Sequence, residues 1–154
     1  KIIKLSEVQK FDVFQIGSKS TQEEREILYE FQINIDKLIS NVNNLVDDID
    51  EAINYLDGEI NKSLNLSSES DLEKINTKRG EMMDLKMVLT GTRSLNYADV
   101  FSGSPPSVQR RLGNMSWELY NTTSRPTNTH ISTYNISKNK YEEVLSDFNR
   151  LNRN

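Results

Sequence analysis

The sequence predicts an all-α protein: an up-and-down bundle of three to four helices, with a very long first helix and a short extended arm before it. Apolar residues recur at alternating three- and four-residue steps over four heptads from Leu28 to Leu56. Glycine and proline are scarce, six and three residues in a chain of 154, which disfavours a turn-rich β-sandwich. Short polar links separate most of the predicted helices, as in antiparallel bundles.

The first 19 residues differ from the rest of the chain. Apolar and polar residues roughly alternate from Lys10 to Ile16, which is the pattern of one strand. Because a single strand has no sheet to join in a helical chain, we expect the arm to be the end of a preceding β domain. An ordered arm lying on the bundle is the alternative. The predicted domains are therefore the arm, 1–19, and the helical bundle, 20–154.

The first helix is predicted from about Thr21 to about Ser63. Ser20 and Glu23 have the spacing of a capping box at its start, and Gly58 could kink or shorten it. Its predicted inward seam consists of Leu28, Phe31, Ile35, Leu38, Val42, Leu45, Ile49, Ala52 and Leu56.

The second helix is predicted from about residue 69 to 90, with Gly91 placed for a left-handed C-terminal cap. Three methionines, Met82, Met83 and Met87, recur at helical spacing and are expected to pack in the core. The inward face is predicted to contain Leu72, Ile75, Arg79, Met82, Leu85 and Leu89.

Two more helices are predicted in the last third of the chain. Pro105-Pro106-Ser107 opens the third, with Ser104 as its cap and an end near Thr123, and the fourth runs from about Asn128 to Leu151. Residues 92–104 are expected to be irregular. The inward residues are predicted to be Val108, Leu112, Met115 and Leu119, then Tyr134, Tyr141, Leu145, Phe148 and Leu151, with Tyr97, Val100 and Phe101 as plugs over the end of the bundle.

Composition excludes several classes of function. The chain has no cysteine, so thiolate metal sites and disulfides are excluded, and with His130 as its one histidine it cannot form a site that needs two imidazoles. A net charge of −4 does not suggest nucleic-acid binding, and no apolar run is long enough for a membrane span. Because there is also no phosphate loop or nucleophile elbow, we expect no catalytic, cofactor or metal site.

A spaced set of residues near the C-terminus carries a resemblance. The set is Pro106, Ser107, Arg110, Arg111, Trp117, Ser124, Pro126, Thr127 and Tyr134. It resembles the C-terminal end of the bacterial sortilin-like BNR-repeat proteins, often labelled sialidase-like or glycosyl hydrolases, although His130 stands where that family usually has Gln. The resemblance implies a helical tail after a β-propeller and a β-sandwich, in a protein that is exported to the periplasm, the cell surface or the medium.

The same residues have a structural interpretation. Trp117 is expected to be a buried anchor between helices, and Arg110 or Arg111 to pair with an acid of the first helix. The turn from Ser124 to Thr127 would fix the reversal between the last two helices. A partner-contact patch is the alternative interpretation of this motif.

The leading functional prediction is a non-catalytic C-terminal accessory module, without a cofactor, that packs on other domains of its parent or on a protein partner. One alternative is a homo-oligomerising coiled-coil segment of a signalling or surface protein. Another is a cleft-shaping part of a glycosidase. A monomer is favoured over a dimer, and the residues alone do not specify a cellular location.

Overall fold

The structure, a computed structural model, describes residues 20–63, 69–91 and 105–153. These residues form four helices: α1, Gln22–Ser63; α2, Glu69–Thr90; α3, Val108–Tyr120; and α4, Asn128–Arg153. The all-α prediction is confirmed, and the bounds of α1 and α2 agree with the sequence pattern. The arm, 1–19, and the predicted plugs in 92–104 lie outside the described residues. None of the described helices combines the length and apolar content that crossing a membrane requires.

A reciprocal capping box starts α1, one residue later than predicted. The Glu24 backbone N–H donates to Thr21 Oγ1 at 3.2 Å, and the Thr21 backbone N–H donates to Glu24 Oε2 at 3.0 Å. The capping residue is thus Thr21 rather than Ser20, whose hydroxyl donates to the carbonyl oxygen of Thr123 at 2.6 Å. This bond joins the start of α1 to the turn between α3 and α4.

The C-terminal end of α2 lies in space against the N-terminal end of α3. Gly91 has a φ of +83°, and its N–H donates to the Met87 carbonyl at 2.8 Å, as expected for a left-handed C-terminal cap. A Cβ atom on Gly91 would lie 3.3 Å from Ser107 Cβ. The N-cap of α3 is Ser107, whose hydroxyl accepts the Arg110 N–H at 3.3 Å, so the prediction of Ser104 as the cap was wrong. The two preceding prolines cannot donate backbone hydrogen bonds, and Ser107 is the first hydroxyl after them.

Helix α2 packs antiparallel on the C-terminal half of α1. Arg79 Nε lies 2.5 Å from Asp57 Oδ1, and Lys86 Nζ lies 2.5 Å from Asp50 Oδ1. Residue numbers therefore rise along α2 as they fall along the facing part of α1.

Helix α3 continues in the same direction along the N-terminal half of α1. Gln109 Nε2 donates to Asn43 Oδ1 at 2.9 Å, and the Tyr120 hydroxyl donates to Asp36 Oδ2 at 2.7 Å. Both α2 and α3 are thus antiparallel to α1, and they follow one another along it.

Helix α4 is parallel to α1. The rings of Phe31 and Tyr134 lie 5.5 Å apart near the starts of the two helices, and Tyr55 and Asn152 line one groove near their ends. A cross-section of the described part therefore cuts three helices: α1, α4 and either α2 or α3. The short α2 and α3 together match the length of α1.

The core is a single cluster drawn from one face of every helix. All nine predicted seam residues of α1 belong to it, with Phe31 and Ala52 only partly buried, and Ser137 and Val144 of α4 are buried without having been predicted. Its buried apolar members are Leu28, Ile35, Leu38, Val42, Leu45, Val46, Ile49, Leu56, Met82, Leu89, Val108, Leu112, Met115, Leu119, Val144 and Phe148.

The prediction that three methionines of α2 pack in the core is correct only for Met82. Met82 is fully buried, whereas Met83 and Met87 are exposed. Each cross-section contains only two other helices, so α2 buries one narrow face. Met83 is rotated about the helix axis by about 100° from Met82 and therefore lies outside that face. Arg79, also predicted to face inward, lies at the edge of that face, paired with Asp57.

Candidate interaction surface

The two arginines of the predicted motif lie at the start of α3, away from the acids of α1. Arg111 Nε donates to the Pro106 carbonyl at 3.0 Å, and the Arg110 side chain is exposed. Among the described residues neither arginine forms an ion pair with α1, so that expectation was wrong. The reason is the direction of the two side chains: Arg111 folds back on its own N-terminal turn, and Arg110 points to solvent.

The second half of the motif forms the connection between α3 and α4. Pro126 is buried, and the Ser124 N–H donates to Thr122 Oγ1 at 3.1 Å. Thr127 caps α4 together with His130. Tyr134 follows two turns later and packs on Phe31. These residues shape the reversal and join α4 to α1.

Trp117 is not a buried anchor. Its side chain is 71 % exposed, the largest exposed fraction among the big apolar residues of the described chain. Met115 and Leu119 of α3 are buried, and Trp117 is two positions from each, a rotation of about 200°. The indole therefore points almost directly away from the core, and the structural interpretation of the motif was wrong at this residue.

Two tyrosines accompany Trp117 on the same side of the bundle. Tyr120 lies one turn further along α3 and is 60 % exposed, while Tyr29 of α1 is 64 % exposed and close enough that its phenolate form would raise the pKa of Tyr120. We call Tyr29, Trp117 and Tyr120 the aromatic surface. Tyr29 was not predicted as part of a surface, although its position off the apolar seam of α1 indicates that it faces solvent.

Hydrogen bonds between α1 and α3 hold the base of the aromatic surface. Gln32 Nε2 donates to the Leu119 carbonyl at 3.0 Å, beside the bond from Tyr120 to Asp36. The hydrogen bond to the Asp36 carboxylate, followed by desolvation and the nearby negative charge, raises the pKa of the Tyr120 phenol above its ordinary value. The Asp36 carboxylate thus favours the protonated form of the Tyr120 phenol, which donates the hydrogen bond.

Gly113 lies one turn before Trp117 in α3 and leaves a gap on the helix surface. A Cβ atom added there would have no heavy atom of the described residues within 4 Å, apart from the nearby backbone of α3 itself. Helical side chains lean towards the N-terminus, so this gap lies on the side over which the Trp117 ring extends. Exposed Trp and Tyr side chains bury large areas with few rotatable bonds and dominate the binding energy of many protein interfaces. The arrangement is suited to packing against another protein surface.

A groove of about 470 Å³ lies among α1, α2 and α4, at the opposite end of the bundle. Buried residues Leu56, Met82 and Phe148 form its floor, and Asp48 and Glu51 belong to its α1 wall. The other lining residues are Ala52, Tyr55, Lys78 and Asn152. Within residues 20–63, 69–91 and 105–153 no group of three or more histidine or acidic residues is arranged to hold a metal ion.

Comparison with known proteins identified no relative: no protein-family model, no curated protein and no solved structure matches this chain.

Proposed function

We propose that this chain is a non-catalytic helical accessory module that packs on a neighbouring domain of its own parent protein or on a protein partner. The observation that carries the proposal is the outward position of Trp117 beside Tyr120 and Tyr29. Burying such side chains at an interface stabilises it by about 25 cal/mol per Å² of apolar surface. No contact among the described residues requires a tryptophan at this position.

The packing of α1 favours a closed bundle over a self-pairing coiled coil. The seam from Leu28 to Leu56 is covered by α2, α3 and α4 of the same chain. A second copy would have to displace these helices to pair through that seam. This supports a module that acts through its outer surface, and it supports a monomer.

The resemblance to the sortilin-like BNR-repeat proteins stays part of the proposal. In such a parent the bundle would follow the β domains of an exported protein, and the aromatic surface would face them. A glycosidase activity would then belong to other domains of the parent. Assays of the purified chain with a panel of aryl glycosides, including a sialoside, are expected to show no turnover, and turnover that is lost on replacing one carboxylate would overturn the non-catalytic assignment.

Photo-crosslinking in the native host tests the packing function. A benzoylphenylalanine at position 117 is expected to give one discrete product, while the same group at position 55 is expected to give none. Tyr55 is the matched control because its side chain is similarly exposed, 67 %, but lies in the C-terminal half of α1, away from the aromatic surface. Equal labelling from both positions, or none from either, would contradict the proposal.

The crosslinked component is then tested by direct binding. Trp117→Ala is expected to weaken its affinity for the chain at least about tenfold, corresponding to about 1.4 kcal/mol, whereas Tyr55→Ala should leave it unchanged. Equal effects of the two substitutions would show that the contact does not depend on the aromatic surface.

A further inference from the structure

We propose that the segment covering the aromatic surface is the chain's own N-terminal arm, residues 1–19. This inference rests on the proposed packing function and names the neighbour that the surface contacts. It holds whether the arm ends a preceding β domain or lies alone on the bundle, because in both cases residues 1–19 are the part next to α1.

The point at which the arm joins the bundle supports the proposal. Ser20 Oγ donates to the Thr123 carbonyl at 2.6 Å, and Tyr120 lies only three residues before Thr123. Arg125 Nε also lies 3.8 Å from Glu24 Oε1, so a second contact joins the start of α1 to the turn between α3 and α4. The chain therefore enters α1 beside the end of α3 that carries the aromatic surface.

The length of the arm is sufficient to cover the surface. Tyr29 lies about 10 Å along the axis of α1 from its first residue, Gln22, and Trp117 lies about 5 Å along α3 from its last residue, Tyr120, at 1.5 Å per residue. The seven residues from Lys10 to Ile16 span about 23 Å when extended. This length exceeds both axial distances, so the arm is long enough to reach all three aromatic side chains.

The composition of the arm matches the surface. Phe11, Val13, Phe14 and Ile16 supply apolar side chains within the stretch that can reach the aromatic rings. The arm contains four lysines and two acids, whereas residues 22–36 of α1 contain five acids and one arginine. Glu26 and Glu30, on either side of Tyr29 in the sequence, are exposed. Opposite charges thus favour contact between the arm and this part of α1.

Fluorescence of the full chain tests the inference, because Trp117 is the single tryptophan. Replacing Phe11 and Val13 together by serine is expected to raise the acrylamide quenching constant of Trp117 about twofold and to shift its emission to the red, as the indole loses apolar cover. Replacing Ile2 and Ile3 by serine is the matched control, with similar apolar loss farther from Ser20. A wild-type indole already quenched as strongly as in the Phe11/Val13 variant would overturn the inference.

A spin label gives a second test that leaves the surface unchanged. The chain has no cysteine, so Gln15→Cys can be labelled with a nitroxide at one site. We expect this label to broaden the single Trp117 indole N–H resonance, and a label at Asn61→Cys, at the other end of α1, to leave it sharp. Equal intensities with the two labels would contradict the proposed contact.

The photo-crosslink from position 117 separates failure of this inference from failure of the proposed function. A product that maps to residues 1–19 supports the inference, and it supports the packing function as well when the arm is the end of a preceding β domain. A product with another protein or another domain overturns the inference and leaves the packing function standing. The absence of any product overturns both.

Discussion

Thr127 and His130 cap the start of α4 reciprocally. The Thr127 N–H donates to His130 Nδ1 at 3.2 Å, and the His130 N–H donates to Thr127 Oγ1 at 3.3 Å. Because Nδ1 accepts a hydrogen bond, the neutral imidazole carries its proton on Nε2, which lies 3.1 Å from Glu118 Oε2. One side chain therefore caps α4 and joins it to α3.

The cap predicts an order of stability among variants of His130. His130→Ala removes both interactions and is expected to lower the free energy of unfolding by about 0.5–2 kcal/mol. His130→Gln should retain most of the cap, because a glutamine three residues after the N-cap accepts the same backbone N–H. Urea unfolding measures the difference, and equal losses for Ala and Gln would contradict a capping role.

Two glycines provide a matched pair for backbone conformation. Gly91→Ala places a Cβ on a residue with φ +83° and 3.3 Å from Ser107, so we expect a loss of about 1–2 kcal/mol. Gly80 lies within α2, and apart from the nearby backbone of that helix the described residues place no heavy atom within 4 Å of an added Cβ, so Gly80→Ala should stabilise the protein by about 0.5–1 kcal/mol. Thermal unfolding of the two variants should move in opposite directions. A shift in the same direction would contradict the left-handed cap.

Ser137 tests how tightly α4 packs on the core. Its side chain is fully buried, and its hydroxyl donates to the Thr133 carbonyl of the same helix at 2.8 Å. Ser137→Ala should therefore change stability little, since the bond is local, whereas Ser137→Leu should destabilise by about 1–3 kcal/mol through overpacking. Unfolding free energies check both expectations, and a tolerated leucine would mean that the helices have room to separate.

The bond from Tyr120 to Asp36 predicts a dependence on alkaline pH. The hydrogen bond to the carboxylate raises the pKa of Tyr120 above 10.0, because it favours the protonated phenol. Its contribution to stability is therefore complete below the unfolded pKa and is lost as the pH rises through the raised folded pKa. Replacing Asp36 by Ala should shift the Tyr120 titration towards its ordinary range.

Tyrosinate absorbance, recorded as a function of pH, measures that shift. Subtracting the curve of Tyr120→Phe from that of the parent chain isolates Tyr120 among the six tyrosines. A Tyr120 titration unchanged by Asp36→Ala would contradict the hydrogen bond as its main cause.

Features that depend on neighbours in the sequence could be predicted from it. The seam of α1 from Leu28 to Leu56 follows from a repeat that only a helix brings onto one face. The stripe of α3 from Val108 to Leu119 follows for the same reason. Gly91 was identified as a left-handed cap because few other residues adopt that conformation readily.

The outward position of Trp117 was also contained in the sequence, in its rotation of about 200° from Met115 and Leu119. The expectation of burial came instead from its size and from its being the single tryptophan, and large apolar residues are not always inside. The helical period was the better guide.

The tertiary structure alone decided which helix surfaces are covered and which meet. Contacts such as Ser20 with Thr123 and Tyr120 with Asp36 join residues far apart in the sequence, and no local pattern specifies them. The end-to-end order of α2 and α3 along α1 likewise depends on the lengths of all three helices, because α2 and α3 each cover only part of α1. The sequence by itself determined the helices and their apolar faces, because hydrophobic periodicity is local. Only packing decided that Tyr29, Trp117 and Tyr120 share one exposed surface, because that depends on how two separate helices, α1 and α3, lie against each other.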